Sequence, residues 1–432
     1  MRRADSAAQA PGCVFIGGVQ VLDRSGSFDG PLDVSVVDGR ITGIGPNLTP
    51  LAGQLRLDGA GRWLLPGIFD CHLHTGLVSY DTLELLNTPI SRRALQTAQV
   101  LRQTLEAGVT FVRDAGIADA GVRDAVAAGT VPGPQLQVSV VPIGASGGHG
   151  DGFLVGPGAD CSVDYSLPDY PGRPPHLADG PEEIRKAVRL VLRAGADWVK
   201  LLATGGVLSA ADGEFGAELS EEEIKVAVTE ARRRGKPVMV HALGGPALAW
   251  AVQAGARSIE HGNFLNEADA ELMAAKGCTL VPTLAIYDRL AALARSGNLD
   301  GPRATRALAA GERLGEAVAV ARAAGVTIAL GSDFGHRDDH GDNLAEIGLL
   351  CRAGMPIEEA LLAATWSGAQ LCGVQDRLGR LAPGYQFDAV LLADDPADPA
   401  TFSRPTSVIG VFRLGIPVVW PPTGEQHGIP VT

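Results

Sequence analysis

Eight short apolar runs recur through the middle of this chain: GIFDCHLH, VTFVRDAG, LQVSVVPIG, DWVKLLATGG, PVMVHALG, SIEHG, TLVPTLAIY and TIALGSDFG. Runs this short, bounded by turn residues, read as buried strands. Stretches rich in Ala, Leu, Arg and Glu separate most of them and have helical character. In SEEEIKVAVTEARRRG, Ser220 and Glu223 make a capping box, and Gly235 stands where a helix would stop. Eight strands each followed by a helix describe an α/β chain folded as a (β/α)8 TIM barrel, whose active site lies at the carboxyl ends of the strands.

The two ends of the chain have another texture. CVFIGGVQVL, LDVSVVDGRITGIG and GQLRLDGAGRWLL are short apolar runs broken by turns, and Asp38-Gly39 between Val37 and Arg40 is a hairpin signal. FDAVLLADD and SVIGVFRLGIPVVW resume the pattern at the far end. The expected organisation is a disordered leader over 1–12, a small β-sandwich domain built from 13–60 and 385–432, and the barrel over 61–384.

Of the 432 residues, 46% are hydrophobic and 20% charged, enough apolar content for a large core with a small appendage. The net charge of −13, with no Lys/Arg block, argues against a nucleic-acid partner. The six cysteines are scattered without a Cys-x-x-Cys pair, so neither a disulfide framework nor a zinc knuckle is indicated. No apolar run approaches the ~20 residues that span a bilayer. The leader MRRADSAAQAPG lacks the apolar segment of a signal peptide. The expectation is a cytoplasmic homo-oligomer with no membrane partner.

The first run ends LLPGIFDCHLHTG, from Leu64 to Gly76, and places two histidines one residue apart. Strand side chains alternate faces, so His72 and His74 share a face and Leu73 takes the other. Two imidazoles at a strand end can chelate one cation from a rigid element. A lone His-x-His is as readily a hydrogen-bonded structural pair, so other strand ends must supply further ligands. The fourth offers Lys200, the fifth His241, the sixth His261 and the eighth Asp333.

This set, with GADWVKLLATGGVLS, SIEHG, SGGHGDGF and HGDNLAEI, resembles the binuclear-metal branch of the amidohydrolase superfamily. That branch holds imidazolonepropionase-like hydrolases, Xaa-Pro dipeptidases and ochratoxin amidase. The resemblance covers nearly the whole chain. It implies one divalent cation on His72, His74 and Asp333, a second on His241 and His261, and Lys200 carboxylated by CO2 as the bridge between them. Nitrogen and oxygen ligands without cysteine suit zinc. An ammonium has no lone pair, but burial beside cations favours the neutral amine, which can add CO2 and become an anionic carbamate.

The implied reaction is cleavage of an amide bond, peptide-like or N-acyl amino acid, in a small-molecule substrate by a metal-bridging hydroxide. Metal binding lowers the pKa of water from about 15.7 to about 7. Asp333 would carry the proton to the leaving group. His149, in the glycine-rich loop after the third strand, would contact the substrate. That loop, from Gly144 to Pro181, is too long for a plain connection. Leu243 stands where dipeptidase-like relatives often hold tyrosine or histidine, so Leu243 and Tyr287 are expected to form an apolar wall favouring amides of hydrophobic amino acids. His336 and His340 are read as loop-ordering, and His176 and His427 as solvent-exposed. A lactone or phosphoester hydrolase remains open, since the same hydroxide attacks either. A mononuclear deaminase would place a glutamate soon after His241, and HALGGP has none. A metal-binding scaffold without catalysis is the remaining alternative.

Overall fold

The computed structural model describes residues 12–152, 169–207, 216–299 and 301–419. The leader over 1–11, His427 and the middle of the loop after the third strand lie outside the described residues. The five N-terminal strands are β1 (Val14–Leu22), β2 (Phe28–Val37), β3 (Arg40–Gly45), β4 (Leu55–Asp58) and β5 (Trp63–Pro66). The central parallel strands are β6 (Ile68–Leu73), β7 (Val109–Asp114), β8 (Gln135–Val138), β9 (Pro142–Ile143), β10 (Val199–Leu202), β11 (Val238–Ala242), β12 (Ser258–His261) and β13 (Thr279–Val281). β14 (Ala389–Leu392), β15 (Val408–Arg413) and β16 (Ile416–Val419) close the described chain.

Both chain ends build one sheet, in the order β16-β15-β14-β5-β1-β2-β3 with β4 also paired to β1. The strands expected to build a sandwich are thus joined in a single hydrogen-bonded sheet. The cause is β5, which pairs parallel with β1 and antiparallel with β14, joining the strands of the two ends edge to edge. The Asp38-Gly39 hairpin forms as expected, with both residues in the left-handed region and Val37 opposite Arg40.

The parallel strands form two ladders, β6-β7-β8 and β13-β12-β11-β10-β9, rather than one closed eight-stranded ladder. The expected third strand breaks at Ser139–Val141, where Val140 has φ +69°. Its first half, β8, pairs with β7, and its second half, β9, pairs with β10. The expected eighth strand is not a ladder strand, yet its backbone bonds both neighbours. Leu280 N donates to Thr327 O (2.9 Å), and Cys71 N donates to Leu330 O (2.8 Å). The tail of the seventh run is helical instead, as Leu284–Arg295.

Helices cover the parallel strands. Helix Pro181–Arg193 buries Ile184, Ala187, Val188 and Val191, the spacing of one helical face. Each such Ile or Val contributes about 1.5–3 kcal/mol on burial. Ser220 and Glu223 cap Glu221–Arg232 reciprocally. Beneath the strand ends lies a second buried layer containing Phe69, Phe111, Trp198 and Met239. No helix among the described residues is long and apolar enough to cross a membrane.

Candidate active site

Strand register sets the candidate ligands beside one another. In the β10–β11–β12 ladder, Leu202 pairs with His241, His241 with Glu260, and Ala242 with His261. His72, near the end of β6, reaches across to this group. Its Nε2 lies 3.3 Å from Lys200 Nζ and 3.3 Å from Asp333 Oδ1. His74 Nε2 lies 3.2 Å from the same Asp333 oxygen. Ring centroids of His241 and His261 are 4.5 Å apart, and those of His72 and His261 are 5.0 Å apart. The structure thus gathers His72, His74, Lys200, His241, His261 and Asp333 at one place. His72, His261 and Asp333 each offer a ligand atom within 4.8 Å of the others.

One nitrogen of each histidine ring is tied to the protein. His72 Nδ1 lies 2.7 Å from Glu260 Oε2, and His74 Nδ1 lies 3.2 Å from Gly116 O. His241 Nε2 lies 3.2 Å from Gly205 O, and His261 Nδ1 lies 2.7 Å from Thr283 Oγ1. A carboxylate or carbonyl only accepts, so His72, His74 and His241 must spend their N–H there. In a neutral ring the other nitrogen is then left as a lone pair. For His72 and His74 these lone pairs face an Asp333 carboxylate oxygen. Lone pairs aimed at an anion fit a cation between them, and tying the second ring nitrogen is how proteins orient metal-binding imidazoles.

Protonation agrees with that arrangement. Burial, reinforced by neighbouring cationic groups, holds His72 and His241 well below the ordinary histidine value. Burial drives His261 down to about 3. Lys200 is lowered by burial to about 8, so its neutral amine is accessible near neutral pH. Burial alone would raise Asp333, but the adjacent His74 and nearby cationic groups bring it below the usual carboxylate range.

The supporting partners were not anticipated from sequence. Glu260 is fully buried and takes both of its oxygens to Arg113 Nη2 (3.0 and 2.9 Å), besides His72 and Ser258 Oγ (2.5 Å). Arg113, also fully buried, donates to Cys71 O and Ser258 Oγ and stacks 4.6 Å over the Trp198 ring. A signal existed: VTFVRD holds Arg113 and Asp114, and SIEH holds Glu260, inside wholly buried strands, and buried charges need partners. On the other side, Asp70 accepts from Ser332 Oγ (2.6 Å), Asn343 Nδ2 (2.8 Å) and His72 N (3.2 Å), bracing the segment that carries Asp333. His261, Thr283 and Asp333 have φ of +73°, +55° and +57°. Left-handed conformations in such residues cost about 1–3 kcal/mol each and persist where the surroundings over-determine them.

His149 stacks on His241, with centroids 4.5 Å apart and planes 25° apart, and burial lowers it to about 4. Tyr287 presents its ring edge-on to His261 at 5.9 Å. Leu243 is fully enclosed in the main hydrophobic core, its N–H donating to Thr204 Oγ1 (3.1 Å). His176 is corrected from exposed to buried: its Nε2 lies 3.1 Å from Gly150 O, inside the loop after β9. His340 is buried with Nδ1 3.2 Å from Thr104 Oγ1, and His336 bridges to Val78.

The chain matches the model of the Amidohydrolase family over residues 63–418. Ochratoxinase of Aspergillus niger is 35% identical over 364 residues, covering 82% of this chain and 75% of that protein. Imidazolonepropionase of Saccharopolyspora erythraea is 26% identical over 426 residues, covering 92% of each. Among solved structures, a prolidase complexed with N-methylphosphonate-L-proline superposes with a TM-score of 0.85 at 31% identity, covering 94% of this chain and 100% of that one.

Proposed function

The chain belongs to the amidohydrolase family, and from that premise we propose that it is a binuclear zinc hydrolase of amide bonds in small peptide-like or N-acyl amino acid substrates. One observation carries the metal reading: His72 and His74 hold their N–H outward on Glu260 and Gly116 while their lone pairs converge on one Asp333 oxygen. The two ladders are read as arcs of one barrel, in keeping with the prolidase likeness. The likeness to an ochratoxinase and to a prolidase supports an amide or peptide bond over a lactone or phosphoester.

In this reading His72, His74 and Asp333 would hold one cation and His241 and His261 the other, with Lys200, as its carbamate, a further ligand. The buried amine is lowered to about 8, which supports its attack on CO2 with loss of one proton. Two divalent ions there would acidify a water and polarise the scissile carbonyl. The rest falls to the chain. Asp333, anionic and half-buried, accepts the proton of the attacking water and returns it to the leaving nitrogen. His149, neutral and stacked on His241, orients the substrate through a ring nitrogen. Tyr287 presents an apolar edge to the same space.

The test is elemental analysis of protein made without chelators, together with a panel of N-acyl amino acids, Xaa-Pro dipeptides and lactones. Two equivalents of zinc and faster turnover of amides of hydrophobic amino acids are expected. One equivalent after reconstitution with zinc and bicarbonate would overturn the bridged lysine, and a clear lactone preference would overturn the amide reading.

A further inference from the structure

His149 is the proposed substrate contact with the weakest local support from its own sequence. Its neighbours Gly147, Gly148 and Gly150 give the backbone more freedom than any other residue type would. Turns within the loop shape it, with Gly148 N donating to Ala145 O (3.0 Å) and Asp151 N to Gly148 O (3.0 Å), and a contact from outside holds His149 itself. The loop after β10 supplies the fixture. Its return is anchored by an antiparallel bridge between Thr204 and Ala217 and by Glu218 N donating to Ala203 O (2.9 Å). Glu218 then takes the His149 backbone N–H on Oε2 at 2.8 Å.

The packing around this bond leaves room for little else. A Cβ on Gly148 would lie 2.6 Å from Glu218 Oε2, so the carboxylate sits directly against the glycine backbone. A Cβ on Gly206 would lie 2.3–2.8 Å from three atoms of the His149 ring, so the ring rests on that glycine. The ring is stacked on His241 as well, and His241 Nε2 faces Gly205 O at 3.2 Å. One loop therefore touches His149 at backbone and ring and also orients a proposed ligand.

Resting on the proposed amide hydrolysis at this site, we infer that Glu218 is a positioning residue that sets where His149 meets the substrate. It acts through a single accepted hydrogen bond, for which an uncharged acceptor of the same shape suffices. Small misplacements of a substrate-positioning group cost up to ~10²-fold in rate.

Glu218→Ala, Glu218→Gln and each of these combined with His149→Ala would be compared in zinc-loaded enzyme on the best amide of the panel. Glu218→Ala should lower kcat/KM by about ten- to a hundredfold, chiefly through KM, with zinc content unchanged. Glu218→Gln should stay within about threefold of wild type, because the amide oxygen accepts the same N–H. Once His149→Ala is present, Glu218→Ala should add no further loss. Hydrogen exchange at the His149 amide should quicken at least tenfold in Glu218→Ala and not in Glu218→Gln, an arm that needs no turnover. Additive losses in the double variant, a Gln variant as poor as Ala, or an unchanged exchange rate would each overturn the inference. A wild type that cleaves no amide but protects the His149 amide would overturn the proposed function and leave the tether standing.

Discussion

Removing the Glu260 side chain separates two jobs that the structure assigns to one carboxylate. Glu260 neutralises buried Arg113 through both oxygens and holds the Nδ1–H of His72 at 2.7 Å. Glu260→Ala leaves a guanidinium in the interior without its anion, a change that costs about 3–5 kcal/mol. Arg113 keeps the Cys71 carbonyl, Ser258 Oγ and the Trp198 face, which places the cost at the lower end. The orphaned His72 N–H adds about 1–3 kcal/mol, though the two costs share a carboxylate and do not sum fully. A loss of about 4 kcal/mol is expected for the metal-free protein, a large share of the ~5–15 kcal/mol typical of a folded domain. Urea unfolding without metal reads this directly. Zinc affinity by chelator competition should fall about ten- to a hundredfold, because the freed ring can adopt the wrong tautomer. The double variant Arg113→Met/Glu260→Leu removes both charges and should recover most of the stability. It should not recover zinc affinity, since His72 still lacks its acceptor. Wild-type affinity in the double variant, or a loss under about 1 kcal/mol in the single one, would refute the reasoning.

Asp333→Asn keeps the shape but cannot accept the proton, so turnover should fall about 10²–10⁴-fold with both metals retained; near-normal kcat in metal-replete protein would move that role elsewhere. Lys200→Ala should hold fewer than two zinc equivalents, and short carboxylic acids with added zinc should partly restore turnover by supplying a bridge; absence of any effect on stoichiometry would remove the carbamate. His340 is held by burial at about 3, below its unfolded value of about 6.5, so it is neutral in the native state and protonation favours unfolding. The stability that His340 contributes is full above about pH 6.5 and falls by about 2 kcal/mol by pH 5, and His340→Phe should flatten that limb of the urea-unfolding profile.

Apolar runs that end in a polar residue mark themselves, which is why six positions from five strand ends could be picked out before any coordinates and are found together in the fold. What holds them was less visible. The acceptors behind His74 and His241 are backbone carbonyls of Gly116 and Gly205, and no residue type advertises a carbonyl's direction. The break that moves the third run from one ladder to the other depends on Val140 at φ +69°, a conformation that valine's own preferences oppose. Likewise the merging of both chain ends into one sheet rests on β5 finding β1 and β14, the latter pairing Trp63 with Leu392 across more than three hundred residues of chain.

Glu260 shows where local pattern reading can be extended. It stands next to His261 in SIEHG, and alternation alone would send the two to opposite faces. Both are nevertheless buried among the histidines, because His261 leaves the extended region at φ +73° and its ring turns back beneath Thr283. The conflict between alternation and burial is resolved by strain at a proposed ligand, and the same holds at Asp333, where φ +57° brings the carboxylate over His72 and His74. Arg113 and Glu260 are charges of opposite sign inside wholly buried strands, and each demands a partner. Pairing them first places Glu260 inward and so calls for the left-handed turn at His261, which is the geometry the metal reading requires.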